Sequence, residues 1–359
     1  MKKIKDFLPD FYHPILPDFF EKEIPEEIFA SCDDCQMTCN SREEINNNKN
    51  TKPFSPDTKC CTYYPYLSNF LVGAVLSDTD PSLDEAKKRL RQKIIDKNGV
   101  FPNGIFPPAK YRYLYQKWSK NFFGRSLEFK CPYYVDGKYN CLLWKYRDSV
   151  CLTWFCVTTA SSIGNKFWEL IMNYLSSFQE LLYYHVLMKE NLSVSFPYNQ
   201  GQELSYEDIE GIVNQKEYEL KWGKWCGKEE EFYINAYNII KNLSKKQVEE
   251  IAGDYSKRKL YELNACYQEI MQIPDFLKLN PILKLNEVIE GTYRITTYSY
   301  KFHSISIPCN LDLPKIVIDL FDGKRKTSEI IDLLEKSHDI TLEKDILVYL
   351  YKYGILIQT

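Results

Sequence analysis

The clearest period in the chain runs from Thr158 to Asn191. Phe167, Leu170, Ile171, Tyr174, Leu175, Phe178, Leu181 and Leu182 recur at three- and four-residue steps, with His185 on the same face. That spacing gathers apolar side chains on one stripe and predicts a long core helix. A histidine on such a stripe reads as a satisfied, hydrogen-bonded residue rather than a ligand. LSNFLVGAVL, from Leu67 to Leu76, is apolar all round and predicts a fully buried helix. It is about half the roughly twenty residues that a membrane span needs. DPSLDEAKKRLRQKIIDKN, from Asp80 to Asn98, predicts a charged amphipathic helix closed by Gly99. Pro81 stands near its start, acidic residues fill its first turn and basic residues follow, as the helix dipole favours. The basic run Lys87, Lys88, Arg89, Arg91 and Lys93 reads as a solvated face rather than a phosphate site.

Residues 1–30 set Pro9, Pro14, Pro17 and Pro25 among aromatics, which predicts an extended, packed arm without regular structure. Residues 99–129 read as a loop leading into a short helix. Further helices are predicted over Glu207–Gln215, Glu229–Lys241 and Asp254–Gln272, the last carrying Cys266 as a core residue. From about Asn280 the period changes. ILKLNEVIEGTYRITTYSYKFHSISIPCNL alternates apolar and polar positions and predicts strands around Glu290-Gly291. LPKIVIDLFDG predicts a helix ended by Gly323. KTSEIIDLLEKSHDI predicts one capped by Thr327 or Ser328. TLEKDILVYLYKYGILIQT predicts a third that ends near Gly354, followed by an apolar strand. The fold expected is α+β and mostly helical. Residues 1–280 would form a cysteine-rich metal-binding domain with irregular loops, a small hairpin and a helical second half. Residues 281–359 would form a winged-helix-like domain.

Composition adds three points. The net charge of −3 gives no positive field for nucleic acid or an anionic membrane, so neither is an expected partner. The 28 tyrosines, 20 phenylalanines and 6 tryptophans predict a core that carries hydroxyls inward. No apolar stretch of a secretory signal follows the first lysines, so a reducing, cytoplasmic compartment is expected. There, clustered cysteines favour metal or redox chemistry over structural disulfides.

Nine of the 12 cysteines lie in the first half. SCDDCQMTC supplies Cys32, Cys35 and Cys39; KCC supplies Cys60 and Cys61; KCPYYVDGKYNCLLWKYRDSVCLTWFC supplies Cys131, Cys141, Cys151 and Cys156. Short spacings such as C-x2-C let one turn of backbone aim two sulfurs at one ion, as zinc and iron–sulfur sites require. All nine are candidate metal ligands. A hairpin turning at Asp136-Gly137 would set Cys131 beside Cys141. Tyr146 and Arg147 are candidates to hydrogen-bond sulfur, with an ordinary salt bridge the alternative for Arg147. Cys226, beside Trp222 and Trp225, is a further candidate ligand. Nine thiolates exceed one tetrahedral ion. They suit a [4Fe–4S] cluster with cysteines to spare, or two zinc or iron centres.

The cysteine pattern resembles the YkgJ-type cysteine-cluster family, to which zinc or iron chelation is ascribed, over roughly residues 30–157. SCDDCQMTC and KCC correspond to that family's first group, and KCPYYVDGKYNCLLWKYRDSVC to its second. Here the CC pair stands apart from the first group, and Asp148 occupies a position where the family usually carries proline. Flagellin lysine N-methylases have a similar arrangement, which implies S-adenosylmethionine as a possible cofactor; no glycine-rich strand–turn–helix supports one, since Gly73 and Gly164 stand alone. From about Leu283, LPKIVIDLFDGKRKTSEIIDLLEKSHDITLEKDILVYLYKYGILI resembles the PqqD-like peptide-binding domain. That resemblance implies capture of the leader of a ribosomally made, modified peptide (a RiPP), the peptide adding as a strand.

Three functions follow as expectations. The first is an enzyme that modifies a peptide or protein at the cysteine site, with a low-pKa thiolate or an open metal position doing the chemistry. The second is a binding or sensing protein whose closed metal site is structural. The third is a lysine N-methylase-like methyltransferase. No Walker, HExxH or GxSxG motif is present.

Overall fold

The computed structural model describes residues 1–27, 35, 37–38, 53–135, 141–195, 204–301 and 305–359, with backbone alone at 299–301 and 305–308. The fold is mixed α+β and mostly helical, with small antiparallel sheets.

The N-terminal arm is more regular than its prolines predict. Strands β1 (Lys2–Lys3) and β2 (Glu23–Ile24) pair with Lys2 opposite Ile24, and three 3-10 turns lie between them. Pro9 and Pro17 each stand just before a turn, where a fixed φ and a missing N–H cost little. The turns drive Ile4, Tyr12 and Phe20 into the core.

Strand β3 (Leu67–Ser68) runs into α1 (Asn69–Ser77), which is buried from Asn69 to Leu76 as its all-round apolarity predicts. Helix α2 (Asp84–Asp96) is shorter than expected at both ends. Asp80 caps a separate 3-10 turn by accepting from the Ser82 amide, and Lys97 takes a left-handed conformation ahead of Gly99. Strands β4 (Val100–Phe101) and β5 (Gly104–Ile105) join β3 in the order β3-β5-β4. Helices α3 (Ala109–Phe122) and α4 (Ser149–Leu152) precede α5 (Ser161–Glu190). Helix α5 is the predicted core helix, about 45 Å long at 1.5 Å per residue. Its Gln179 amide donates to the Tyr12 hydroxyl at 2.6 Å and fastens the arm.

The expected Glu207–Gln215 helix is instead two. Gly211 is left-handed and separates α6 (Tyr206–Glu210) from α7 (Gln215–Trp222), which Asn214 caps. Helix α8 (Glu229–Lys241) lies where its spacing places it. Helix α9 (Lys245–Met271) starts earlier than Asp254, on a Ser244/Gln247 capping box, and kinks at Gly253. Helices α1 and α8 meet backbone to backbone at Gly73, where a Cβ would lie 1.8 Å from the Tyr233 carbonyl oxygen.

The C-terminal unit follows its sequence closely. Strand β6 (Leu277–Leu279) precedes β7 (Asn286–Ile289), β8 (Thr292–Lys301) and β9 (Ile305–Pro314), which form a sheet in that order. Gly291, at φ 73°, makes the β7–β8 turn. β8 and β9 pair without slippage from Thr292↔Pro314 to Lys301↔Ile305. Helices α10 (Lys315–Leu320), α11 (Thr327–His338) and α12 (Lys344–Lys352) follow, and β10 (Leu356–Gln358) returns antiparallel to β6. Lys326, not Thr327 or Ser328, holds the cap position of α11. The Thr327 hydroxyl donates outward to the Pro274 and Asp275 carbonyls instead.

Two hydrophobic cores result. The larger joins the arm, α1, α5, α8 and α9. The smaller joins the C-terminal unit to Met37, Phe54, Phe123 and Val157. Of the described candidate cysteines, Cys61, Cys131 and Cys141 belong to or pack on the larger core, and Cys35, Cys60 and Cys156 on the smaller. No helix among the described residues is long and apolar enough to cross a membrane.

Candidate metal site at the junction of the two cores

Cys32 and Cys39 lie outside the described residues, as does the predicted Asp136-Gly137 turn. Of the first group, Cys35 and Cys60 are free thiols, and the charge of Cys60 reaches Cys35. Cys60 and Cys61 hydrogen-bond side chain to side chain; that bond, then burial, pushes the Cys60 thiol well up. Burial likewise raises Cys35, partly offset by the Met37 amide. Cys60 packs against the smaller core and Cys61 against the larger, so this adjacent pair straddles the junction.

The second group meets the first through backbone. The Cys131 amide donates to the Cys61 carbonyl at 2.8 Å. The flanks of the predicted hairpin form a single bridge, Tyr134 opposite Cys141, with the Leu142 amide donating to the Tyr133 carbonyl at 2.9 Å. Cys131, Cys141 and Cys151 interact electrostatically. Burial is the largest cause that holds Cys131 and Cys151 well above an ordinary thiol; Cys141 and Asp148 raise Cys131 further, and Asp148, Cys141 and Cys131 raise Cys151. Cys156 is half-buried against the smaller core.

Asp148, which the sequence marks only as a departure from the resembled family's proline, is a buried residue of this junction. It is 4% exposed and caps α4, its Oδ1 accepting from the Cys151 amide at 2.9 Å. The Tyr63 hydroxyl donates to its Oδ2 at 3.4 Å, and the Cys151 thiol also bonds the carboxyl. Burial pushes the carboxyl up to about 6, while the Cys151 and Tyr63 bonds and then Arg147 pull the other way. The signal was in the chain: Asp-Ser-Val-Cys is a helix cap that points its side chain at the third residue beyond.

Tyr146 and Arg147 do not reach sulfur in the way expected. Tyr146 donates to Asp78 at 2.7 Å, and Arg147 donates to the Trp144 and Cys151 carbonyls while lying 3.8 Å over the Trp144 ring. Arg147 still acts on the site at a distance, favouring the Cys60 thiolate. Tyr111 and Tyr115 of α3 and Tyr63, three residues after Cys60, pack ring on ring within electrostatic reach of Cys151. All three hydroxyls are held up by burial first and by Cys151 among other causes, Tyr115 at about 12.

The remaining candidates lie elsewhere. Cys226 senses Glu229, Glu219 and Lys97. Cys266 is a core residue pushed up to about 11 by burial. Burial, then Lys189, keeps His185 below its ordinary range; the ring is half-buried and its Nε2 has no hydrogen-bond partner among the described residues, so it is not the satisfied histidine expected. A cavity of about 790 Å³ opens among Lys97, Phe101, Asp208, Tyr218 and Lys221, and no candidate cysteine lines it.

Among the described residues, no three His, Cys, Asp or Glu side chains stand close enough to hold one ion as they lie. The donor chemistry nonetheless suits a thiophilic metal: buried thiols, a carboxylate and no histidine. No protein-family model, curated protein or solved structure matches the chain.

Proposed function

We propose that this chain is a thiolate metalloprotein, iron–sulfur in character with zinc as the alternative, that acts in modifying a peptide or protein held by its C-terminal unit. The observation that carries the reading is the meeting of two cysteine groups far apart in sequence at one buried junction, through the Cys131 amide and Cys61 carbonyl. Crowded thiols that raise one another's pKa are hard to ionise alone, and a bound cation removes that penalty by taking the thiolates as ligands.

Cys35, Cys60 and Cys61 would hold the metal on one side, Cys131, Cys141 and Cys151 on the other, with Cys32, Cys39 and Cys156 as the further candidates. Such a centre supplies Lewis acidity or electron transfer. The chain's own part is to exclude water with Tyr63, Tyr111 and Tyr115 and to fix the Cys151 backbone through Arg147 and Asp148. For the substrate, β8 beyond Ile295 pairs with β9 on one side only among the described strands. An extended peptide adds to such an edge by main-chain hydrogen bonds.

A second reading, a closed structural metal in a binding or sensing protein, is favoured by the placement of the thiols between two cores and off the described cavity. Anaerobic purification with iron, zinc and acid-labile sulfide analysis tests both. About four iron and four sulfide per chain support the cluster. Zinc without sulfide moves the assignment to the closed scaffold. Neither metal in stoichiometric amount overturns the proposal.

A further inference from the structure

Helix α3 is 14 residues long, and Ala109 is its one buried residue. Its aromatic stripe, Tyr111, Tyr115, Trp118 and Phe122, follows helical spacing. The first two rings are covered. Tyr111 packs on Tyr64 and Phe129 with centroids 5.4 and 5.8 Å away, and Tyr115 packs on Phe129 at 5.8 Å. The last two run out into solvent. Trp118 is 48% exposed and Phe122 45%, their rings set edge to face at 6.3 Å, and Leu127, just beyond the helix, is 63% exposed. Cations accompany them. From Ala109 to Leu127 the chain carries Lys110, Arg112, Lys117, Lys120 and Arg125 and no acidic residue. Lys110, Lys117 and Lys120 are exposed and form no ion pair among the described residues. Lys117 lies 4.1 Å over the Tyr113 ring instead. The helix gains little from these charges. Lys110 stands in the first turn, where the helix dipole disfavours a cation, and no acidic residue there offsets it.

We propose that this end of α3 docks an acidic stretch of the polypeptide substrate, its carboxylates on Lys117 and Lys120 and its apolar side chains on Trp118, Phe122 and Leu127. The inference rests on the peptide-modification reading above and names the chemistry of the substrate. A second copy of the same face would set cation against cation. A nucleic acid or an anionic bilayer is a polyanion wider than the patch. Five cations within a chain of net −3 leave the remainder at −8, and α6, packed on α3, carries Glu207, Asp208 and Glu210. A short acidic segment meets the cations alone, since charges beyond about 8 Å are largely screened at physiological salt. Stacked bases would also need open ring faces, which an edge-to-face pair offers poorly and Leu127 not at all. The same helix reaches the thiols. The Tyr111 hydroxyl donates to the Thr62 carbonyl at 2.7 Å, one residue after Cys61, and accepts from the Tyr64 amide at 2.8 Å.

The test is fluorescence anisotropy of the full chain, purified anaerobically, with two labelled synthetic peptides of equal length. One is built of glutamate, leucine and serine, and the other has glutamine in place of every glutamate. The parent is compared with Lys117→Glu/Lys120→Glu and with Trp118→Ser/Phe122→Ser, all at exposed positions. The parent should bind the glutamate peptide about tenfold more tightly than the glutamine one, and the preference should shrink as salt rises. Charge reversal should cost about tenfold for the glutamate peptide alone, and loss of the two rings about tenfold for both peptides. A parent that binds neither peptide or both alike, or variants that match the parent, overturn the inference. Single-stranded oligothymidine or phosphatidylglycerol vesicles bound more tightly than the glutamate peptide, and lost in the same variants, overturn the polypeptide assignment. Either double variant decides if the other fails to fold. Iron, zinc and sulfide are measured in the same samples. A metal-loaded chain without the peptide preference strikes this inference alone, and a metal-free chain that still binds through α3 strikes the metalloprotein reading alone.

Discussion

The C-terminal sheet and the thiol junction are built by opposite means. β8 and β9 run in unbroken register over ten pairs, so backbone hydrogen bonds recur at every second pair along the ladder and side chains only decorate it. The junction has no ladder of that kind. Asp148 bonds the Cys151 amide, Arg147 the Cys151 carbonyl, the Tyr111 hydroxyl the Thr62 carbonyl, and Asp78 collects Lys145 and Tyr146. Short turns there are held by single polar side chains, each specific to its position. A ladder survives the loss of any one side chain. A junction of this sort does not, and sulfur bound to a metal would be its strongest tie.

The largest test of that contrast replaces two sulfurs. In Cys131→Ser/Cys151→Ser, bound metal should fall to near nothing at the second thiol group. Amide exchange should accelerate across residues 129–152 while the β8 and β9 amides keep their protection. Hydrogen exchange with mass spectrometry reads both at once. Equal acceleration in the sheet would mean that the two regions unfold together, and the contrast would fail. The reverse variant is Ile330→Ala, in the centre of the smaller core. It should cost about 2–5 kcal/mol by cavity formation, measured by denaturant titration, with metal content unchanged.

The sequence made the ladder and the helices legible because their physics is periodic. α5, α8, the hairpin at Glu290-Gly291 and the three C-terminal helices were all readable from spacing, and α1 from apolarity on every side. Breaks were harder. The split at Gly211 and the kink at Gly253 depend on one residue turning to positive φ, which periodicity does not weigh. At the junction the cysteines announced themselves by number, yet their grouping did not, because it is set by which distant backbone each one meets. Asp148 was read as a departure from a pattern when its position three residues before Cys151 already made it a cap. Spacing makes Tyr146 and Arg147 candidate partners of sulfur, with a salt bridge the alternative for Arg147; Tyr146 serves the Asp78 carboxylate and Arg147 the Trp144 and Cys151 carbonyls. Long polar side chains have several acceptors within reach, and spacing does not choose among them.

A smaller effect separates the regions by pH. Burial pushes the Asp78 carboxyl up, but Lys145, the Asp80 amide and the Tyr146 hydroxyl together hold it at about 2. A carboxyl lowered in the folded state contributes stability that is present above its unfolded value near 3.8 and lost as pH falls towards 2. That window is worth about 2 kcal/mol, since one pKa unit is about 1.4 kcal/mol. Thermal melts at pH 4 and pH 2 should therefore differ less in Asp78→Asn than in the parent. The loss should fall on residues 144–148, which Asp78 ties to the end of α1. A parent and variant with the same slope would show that this anchor carries no linked stability.

The smallest effect should come from the sheet's own most regular side-chain contact. Arg294 and Asp312 face each other across β8 and β9 and form two parallel bonds of 2.7 Å, a fork that looks stronger than anything at the junction. Both side chains stand in solvent, where the attraction is screened and holding two long chains in one pose costs entropy. Beneath them the ladder continues on both sides. Arg294→Ala should therefore shift the melting temperature by under about 2 °C and leave β8 and β9 exchange unchanged. Asp148→Ala, which removes a longer and less ideal-looking set of bonds, should shift it more. If Arg294→Ala proves the more damaging of the two, then side-chain pairing rather than the backbone ladder holds the sheet, and the two regions are built alike after all.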